Sequence, residues 1–454
     1  MKVKVRIAPS PTGFLHVGTA QSALYNWLFA RKNGGEFHLR IEDTDKARST
    51  KEYEADIIEG FTWLGIKWDG EITRSTGNQT RYQELLQKLI DEGKAFYCHH
   101  TQEELDTERQ TQELAKQPPR HVCHHKNFET GKISGGIIRL AVDETSDRVI
   151  VFDDIIRGRV EFKQALLGDF SIGRAVNNAL YHFAVVVDDA DMKITHVLRG
   201  EDHLSNTPKH ILIYEALEFP VPLFAHLPLI FASDRSKLSK RHGATKVTDY
   251  KKDYLPEAIV NFIGAMSFSF SKEMLTKEEM AQEFELSKVH KSGAVFDLKK
   301  LNWLNSQYIK KLSSEEFKNI LRQAQDKSVD IPNAAVPLIT ERLEKLSDVE
   351  NFDYFWKEPE YNKELLIWKN SSVENVKNSL GESIKILEQT EGNENIRSGL
   401  DELGKKIENR GLAYWPLRVA LTGKEKSPDP VDVFSVLGKE ESLKRIETAI
   451  KKLS

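Results

Sequence analysis

The stretch Arg6-Ile7-Ala8-Pro9-Ser10-Pro11-Thr12-Gly13-Phe14-Leu15-His16-Val17-Gly18-Thr19 decides the fold of this chain. Ahead of it, Val3, Val5 and Ile7 alternate with polar residues and predict a strand, and Ala20 to Ala30 behind it predicts a helix. The turn between them therefore lies at the carboxyl end of a strand, where open α/β sheets bind ligands. Pro9 and Pro11 fix φ and Gly13 admits positive φ, so the loop is stiff and sharply turned. Gly18 opens the helix without a side chain, which lets an adenosine or a phosphate reach backbone amides at the positive end of the helix dipole. His16 beside it can donate a hydrogen bond to a phosphate oxygen. By itself, His-x-Gly before a helix is a weak signal and reads more readily as a structural histidine.

A second piece lies some two hundred residues on, in Ser233-Asp234-Arg235-Ser236-Lys237-Leu238-Ser239-Lys240-Arg241. Such a basic cluster is ordinarily a solvated face. Cations on a polar loop can also close over charge that develops on a transferring phosphate.

The chain has 454 residues, room for about three domains of ordinary size. No apolar run approaches the roughly 20 residues needed to span a bilayer, so no membrane partner is expected. The N-terminus enters a strand at once, without a signal-peptide core or an arginine-rich presequence, and a cytoplasmic location is expected. With 65 basic against 69 acidic residues the total charge speaks against a nucleic-acid binder, although a local basic face is all that such binding needs.

Residues 1 to about 85 alternate strand and helix patterns. The pattern becomes irregular from Ala95, with short strands expected at Val149–Phe152 and Val160–Phe162. Val185-Val186-Val187 then reads as a buried strand that resumes a parallel sheet. The expected fold is thus an α/β Rossmann-type domain split by an α+β insertion too long to be a loop. After Arg241 helical spacing takes over, as in Ile259, Phe262, Ile263 and Met266, or Ile396, Leu400, Leu403 and Ile407, and predicts an all-α C-terminal half. The near P-loop Gly399 to Lys406 falls inside one of these stripes, has no preceding strand, and is a coincidence.

Two cysteines exclude a disulfide scaffold. They sit in Tyr97-Cys98-His99-His100 and His121-Val122-Cys123-His124-His125, which together hold five of the fourteen histidines. Zinc takes four tetrahedral N/S ligands, and two Cys-x-His pairs supply them: Cys98, His100, Cys123 and His125. His99, His121 and His124 are rival ligands, and the alternative is a vestigial knuckle carrying surface histidines.

Several of these pieces coincide with family signatures. The turn at His16–Gly18 and the Lys237-Leu238-Ser239-Lys240 loop resemble the histidine-glycine and lysine-serine-lysine motifs of class I aminoacyl-tRNA synthetases. Arg6–Gly13, Arg40-Ile41-Glu42-Asp43-Thr44-Asp45, Tyr181–Asp189, Val197–His203 and Pro416-Leu417-Arg418 with Ala420–Gly423 resemble the bacterial-type glutamyl-tRNA synthetase family, from one end of the chain to the other. The resemblance implies glutamate-tRNA ligase activity with ATP and Mg2+, L-glutamate and tRNA(Glu) or also tRNA(Gln) as partners, and a monomer. It implies a catalytic domain in two halves, 1–85 and 182–235, around an acceptor-binding insertion, 86–181, whose cysteine pattern is similar to a zinc knuckle of that domain. A stem-contact region, 236–322, and a helical anticodon-binding domain, 323–454, would follow. ATP would meet His16, Gly18, Thr19, Lys237, Ser239 and Lys240. Glutamate would meet Arg6, Ala8, Ser10, Glu42, Tyr181 and Arg199, with arginines and the tyrosine on carboxylate oxygens and Glu42 with Ser10 on the ammonium.

The sequence departs from the family in places. His100 stands where the knuckle has cysteine, Val185 where some relatives have a substrate-contacting asparagine, and Asn177-Asn178 where an Asp-Gly turn is common. Competing readings are a shorter paralogue that glutamylates a modified tRNA base, a tRNA-independent nucleotidyltransferase, and a non-catalytic tRNA-binding protein.

Overall fold

The strand ahead of the opening turn is β1 (Lys4–Ile7), and the turn delivers the chain into α1 (Val17–Lys32). A computed structural model describes residues 2–127, 129–232, 234–236, 246–325 and 330–454. The chain divides into one compact unit of Met1–Tyr250 with Pro256–Leu298 and a second of Lys251–Leu255 with Lys299–Ser454. The His16 side chain caps α1, and Arg31 and Lys32 complement the dipole in its last turn. Its apolar residues face in every direction, as suits a helix buried between layers. Next come β2 (Glu36–Ile41), α2 (Lys51–Trp63), β3 (Thr73–Arg74) and α3 (Gln79–Asp91), with β1, β2 and β3 forming a parallel sheet in that order.

The insertion begins with β4 (Ala95–Cys98), α4 (Gln102–Leu114) and β5 (Ile137–Leu140). It continues through β6 (Val149–Asp154), β7 (Gly158–Lys163), β8 (Ser171–Ala175) and β9 (Asn178–Ala179). Strands β4, β5, β8 and β9 make an antiparallel sheet in that order. The two strands expected at 149–162 are an antiparallel hairpin that leaves this sheet. It pairs β6 in parallel with β11 (Leu223–Leu227), beyond the insertion.

One expectation is overturned. Val185-Val186-Val187 is not a strand but the middle of helix α5 (Tyr181–Asp191). Everything from Phe183 to Asp189 is buried. A continuous apolar run shows no period, and three β-branched residues tilt it toward strand; their helix penalty is only about 0.5 kcal/mol each. Burying each valine contributes roughly 1.5 kcal/mol or more, so packing decides. Strand β10 (His196–Gly200) and helix α6 (Thr207–Ala216) follow, and β10 pairs in parallel with β11. Lys4 N donates to Thr195 Oγ1 at 2.8 Å and Thr195 N to the Lys4 carbonyl at 2.9 Å, which sets β10 beside β1 and closes the split sheet.

The stretch after residue 241 is not purely helical. β12 (Ile230–Phe231) pairs with β13 (Ala294–Val295) around α7 (Pro256–Gly264) and α8 (Lys277–Glu283). The second unit is all-helical, through α9 (Leu298–Ile309), α10 (Ser314–Gln325), α11 (Val336–Thr340), α12 (Val373–Gln389), α13 (Asn393–Lys406), α14 (Arg410–Thr422), α15 (Pro430–Leu437) and α16 (Lys439–Lys452). Gly399 to Lys406 lie on α13, so the near P-loop is helix interior. Arg445 on α16 is buried and donates to the carbonyls of Leu421 and Tyr354, both at 2.8 Å, satisfying the end of α14. Trp368 and Trp415 pack together at 5.0 Å, and Trp415 donates to the Leu365 carbonyl. No helix among the described residues is long and apolar enough to cross a membrane.

Asp189, at the C-terminal end of α5, joins this helix to the first sheet. Arg6 Nε and Nη2 donate to its two oxygens at 2.9 and 3.0 Å, and Arg40 Nη1 donates at 2.6 Å. Burial opposes its ionisation, but Arg6 and Arg40 outweigh that and hold the carboxyl below the usual range. A folded-state pKa below the unfolded value means that this stabilisation is complete above about pH 4 and is lost on further acidification. Asp189→Asn leaves two buried guanidinium groups short of a counter-charge, and urea denaturation at pH 7 should show a loss of roughly 3–5 kcal/mol. The variant should also lack the part of the acid-induced loss below pH 4 that wild type owes to this carboxyl.

Candidate active site

The turn after β1 is held from two sides. Glu42 N donates to the Pro9 carbonyl at 3.0 Å and Thr50 N to the Pro11 carbonyl at 3.0 Å, so the prolines' carbonyls are used although they have no N–H to offer. Leu15 N donates to Asp56 Oδ2 on α2 at 2.8 Å. The same buried carboxylate accepts from Thr248 Oγ1 at 2.6 Å and faces Lys246 Nζ at 3.1 Å, while Val247 N donates to the Leu15 carbonyl. Lys246 also lies 4.2 Å from the centre of the Phe14 ring. Asp56 thus fastens the turn to the segment that follows residue 245.

At the start of α1, Thr19 N donates to His16 Nδ1 at 3.3 Å, which folds the imidazole over the helix end. A Cβ on Gly18 would lie 3.2 Å from two atoms of that ring. The glycine therefore makes room for the histidine as well as for a ligand. This helix start opens onto a cleft of about 920 Å3. All nine described residues that the sequence singles out for ATP or glutamate line it: His16, Gly18, Thr19, Arg6, Ala8, Ser10, Glu42, Tyr181 and Arg199. Asp202 and His203 line it too, although neither stood out in the sequence as a site residue. Lys237, Ser239 and Lys240 lie outside the described residues.

The two arginines of the cleft differ. Arg6 directs its Nε and Nη2 at Asp189, so its fork is compensated before any ligand arrives. Arg199 makes no ion pair among the described residues and is held by uncharged acceptors, Thr207 Oγ1 at 2.7 Å and His210 Nδ1 at 3.2 Å among them. Burial lowers its pKa below the usual guanidinium value. Burial pushes the Glu42 carboxyl up against the pull of Arg40 and Arg6, a state that an incoming ammonium would relieve. Tyr181 stands at the N-terminus of α5 rather than at a strand end, 3.3 Å from His203 Nδ1, and burial pushes its hydroxyl up to about 12. It is therefore a neutral hydrogen-bonding group at neutral pH. Val185 is packed in the apolar core and does not line the cleft.

In the insertion, Cys98 Sγ lies 3.4 Å from His100 Nδ1 and 3.4 Å from His121 Nε2, and Cys123 Sγ lies 3.5 Å from His100 Nδ1. His125 Nδ1 is 3.4 Å from Cys123 Sγ. Cys98, His100, His121 and Cys123 have their ligand atoms within 4.8 Å of one another. His125 falls in a neighbouring group with His100 and His124. Tetrahedral zinc with ordinary Zn–S and Zn–N lengths implies an S···N edge of about 3.6 Å, so this donor set fits the ion. Glu108 on α4 accepts from His121 Nδ1 at 2.5 Å and turns Nε2 toward Cys98. His99 is directed elsewhere, to the Ile133 carbonyl. Gly168, at φ +62°, allows the chain to pass the His121 carbonyl, where a Cβ would come within 2.6 Å.

A split parallel sheet, a histidine-capped helix start and a cleft with two arginines define a class I synthetase catalytic domain. The family model described as tRNA synthetases class I (E and Q), catalytic domain, matches residues 2–303, and one described as an anticodon binding domain matches 279–450. The chain belongs to this family. It is 39% identical to the glutamate–tRNA ligase of Thermodesulfovibrio yellowstonii, over 99% of each chain. It is 40% identical to that of Carboxydothermus hydrogenoformans, over 98% of this chain and 99% of the other. Its structure is similar to the crystal structure of a glutamate tRNA ligase from Elizabethkingia meningosepticum in complex with its amino acid, with TM-score 0.87, 31% identity and full coverage of both chains.

Replacing Asp56 by alanine strips the Leu15 amide, the Thr248 hydroxyl and Lys246 of their shared acceptor. Chemical denaturation should register a loss of about 2–4 kcal/mol, typical of a deleted buried charge with several partners.

Proposed function

We propose that this chain is a glutamate–tRNA ligase that activates L-glutamate with ATP and transfers it to tRNA(Glu). One observation carries the reading: a capped helix start lines one cleft with two arginines, a tyrosine and a buried carboxyl, the side-chain types that would suit the carboxylates and ammonium of glutamate. Similarity to enzymes named glutamate–tRNA ligases over nearly the whole chain supports it.

In the first step an α-carboxylate oxygen of glutamate attacks the α-phosphorus of ATP. The bond to the bridging oxygen breaks, giving glutamyl-adenylate and pyrophosphate. In the second, the 2′-hydroxyl of the terminal adenosine of tRNA attacks the anhydride carbonyl, loses its proton, and AMP leaves. No enzyme nucleophile is required, so the rate comes from positioning and charge stabilisation. His16, Gly18 and Thr19 would bind ATP at the start of α1. Arg199, Arg6 and Tyr181 would hold carboxylate oxygens, Glu42 and Ser10 the ammonium, and the Ala8 backbone would border the amino acid. Lys237, Ser239 and Lys240 would meet the phosphates. Magnesium, when bound, neutralises charge on the pyrophosphate leaving group. The reading includes a cytoplasmic monomer and a structural zinc on Cys98, His100, Cys123 and one further histidine; the Glu108 contact favours His121 over His125 for that place.

Purified protein should charge tRNA(Glu) with labelled glutamate, and Lys240→Ala should lower kcat by about 10²-fold. Charging of tRNA(Gln) as well would make the enzyme non-discriminating. Adenylate formation with neither tRNA charged would sink the ligase reading in favour of a tRNA-independent nucleotidyltransferase.

Zinc analysis of the purified protein should find one ion per chain, lost in Cys98→Ser. Glu108→Ala should weaken zinc binding by about 10- to 100-fold in a chelator competition. His121→Ala should release the metal more readily than His125→Ala, and the reverse order would assign the fourth place to His125.

A further inference from the structure

Arg199 is surrounded by histidines that the functional reading leaves without a role. Its Nη1 lies 3.2 Å from His210 Nδ1 and its Nε donates to His226 Nε2 at 3.3 Å. A guanidinium can only donate, so both ring nitrogens must be acceptors. That fixes two tautomers. His210 must carry its proton on Nε2, which points at His182 Nδ1 at 3.1 Å. His226 must carry its proton on Nδ1, which points at Asp154 Oδ2 at 2.6 Å. The other Asp154 oxygen is taken by the backbone amides of Ile156 and Arg157, at 3.0 and 2.7 Å, so the carboxylate cannot turn away. Thr207 Oγ1 accepts from Arg199 Nη2 and lies 3.0 Å from His226 Nε2, which closes the frame. His210, His226, Thr207 and Asp154 are all nine-tenths or more buried. Burial first, then Arg199 in the case of His210, keeps both imidazoles from protonating in the ordinary range.

We infer that the neutral imidazoles of His210 and His226, the latter held in its tautomer by Asp154, frame Arg199 and position it for the carboxylate of the amino-acid substrate, with no carboxylate among the described residues paired directly with the guanidinium. A carboxylate in the same place would orient the guanidinium equally well but would compete with the substrate, as Asp189 does at Arg6. Neutral acceptors locked in one tautomer supply the direction and leave the positive charge to the ligand. The inference rests on the proposed role of Arg199 in glutamate binding, and His210, His226 and Asp154 are positioning residues that need not touch substrate.

The test is steady-state charging of tRNA(Glu) with glutamate or ATP varied in turn. His210→Leu removes an acceptor from a buried cation and should raise KM for glutamate about tenfold or more, with KM for ATP unchanged. His210→Gln, whose Oε1 can accept from Nη1, should restore it toward wild type. Asp154→Asn turns an amide N–H toward His226 Nδ1, reverses that tautomer and should also raise KM for glutamate selectively. If His210→Leu does not fold, Asp154→Asn and His210→Gln carry the comparison. Folded variants with the wild-type KM for glutamate, or with glutamate and ATP affected alike, would overturn the frame. Wild-type protein that fails to charge tRNA with glutamate would instead overturn the functional reading beneath it.

Discussion

The carboxylate of Asp189 is the interaction on which the catalytic half depends. It is shared by Arg6 of the first strand and Arg40 of the second, and it arrives on a helix encoded after the insertion. A buried ion cluster of this kind is a poor source of stability compared with apolar packing, because each charge must first be desolvated. What it supplies is direction. Its neighbour Asp188 accepts from Ser75, Asn78 and Tyr82, so the end of α5 is pinned at several points to the half that precedes the insertion. Polar contacts of fixed geometry thus cross the break, alongside an apolar cluster that joins Tyr82 and Leu86 to the Phe183–Val187 run.

From that anchoring follows the electrostatic division of the cleft. Arg6 reaches it already compensated, while Arg199, on β10, reaches it with its charge unspent. Glutamate brings two negative groups and one positive, a net single negative charge. Under the proposed reading, the uncompensated guanidinium of Arg199 would face the substrate's negative charge, and the ammonium would favour ionisation of the Glu42 carboxyl that burial opposes.

How much of this could be read from the residues alone depended on whether local pattern carried the information. The turn from β1 to α1 was legible because alternation, two prolines and a glycine agree at each level, whereas the capping role of His16 emerged only in the structure. Cysteines and histidines in two tight clusters were legible as candidate metal ligands, and the structure brings four of their ligand atoms within 4.8 Å of one another. The segment around Val186 misled, because the buried middle of α5, Phe183 to Asp189, has no exposed polar face to give it a period. His121 was named only as a rival ligand, since its merit comes from Glu108 on a separate helix, a pairing that no spacing encodes. Asp56, Asp189 and the histidines behind Arg199 were equally hidden: each acts by touching residues tens to hundreds of positions away.

The insertion shows why tertiary polar contacts of this sort are needed at all. Helix α4 has no buried residue, and Leu114 near its end is largely exposed, so apolar burial cannot hold it in place. Its attachments are polar: Glu108 to His121, and Gln112 exchanging hydrogen bonds with the backbone of Arg120 at 2.7 Å in both directions. The apolar cluster beneath the knuckle is small, Phe96 with Cys98 and Cys123. A region with so little core depends on staples, and an ion bound by His121 would act through Glu108 on the helix as well as on the two cysteine loops. Replacing the knuckle's second cysteine with His100 keeps that possibility open, because Nδ1 of this one residue lies within 3.5 Å of both thiols.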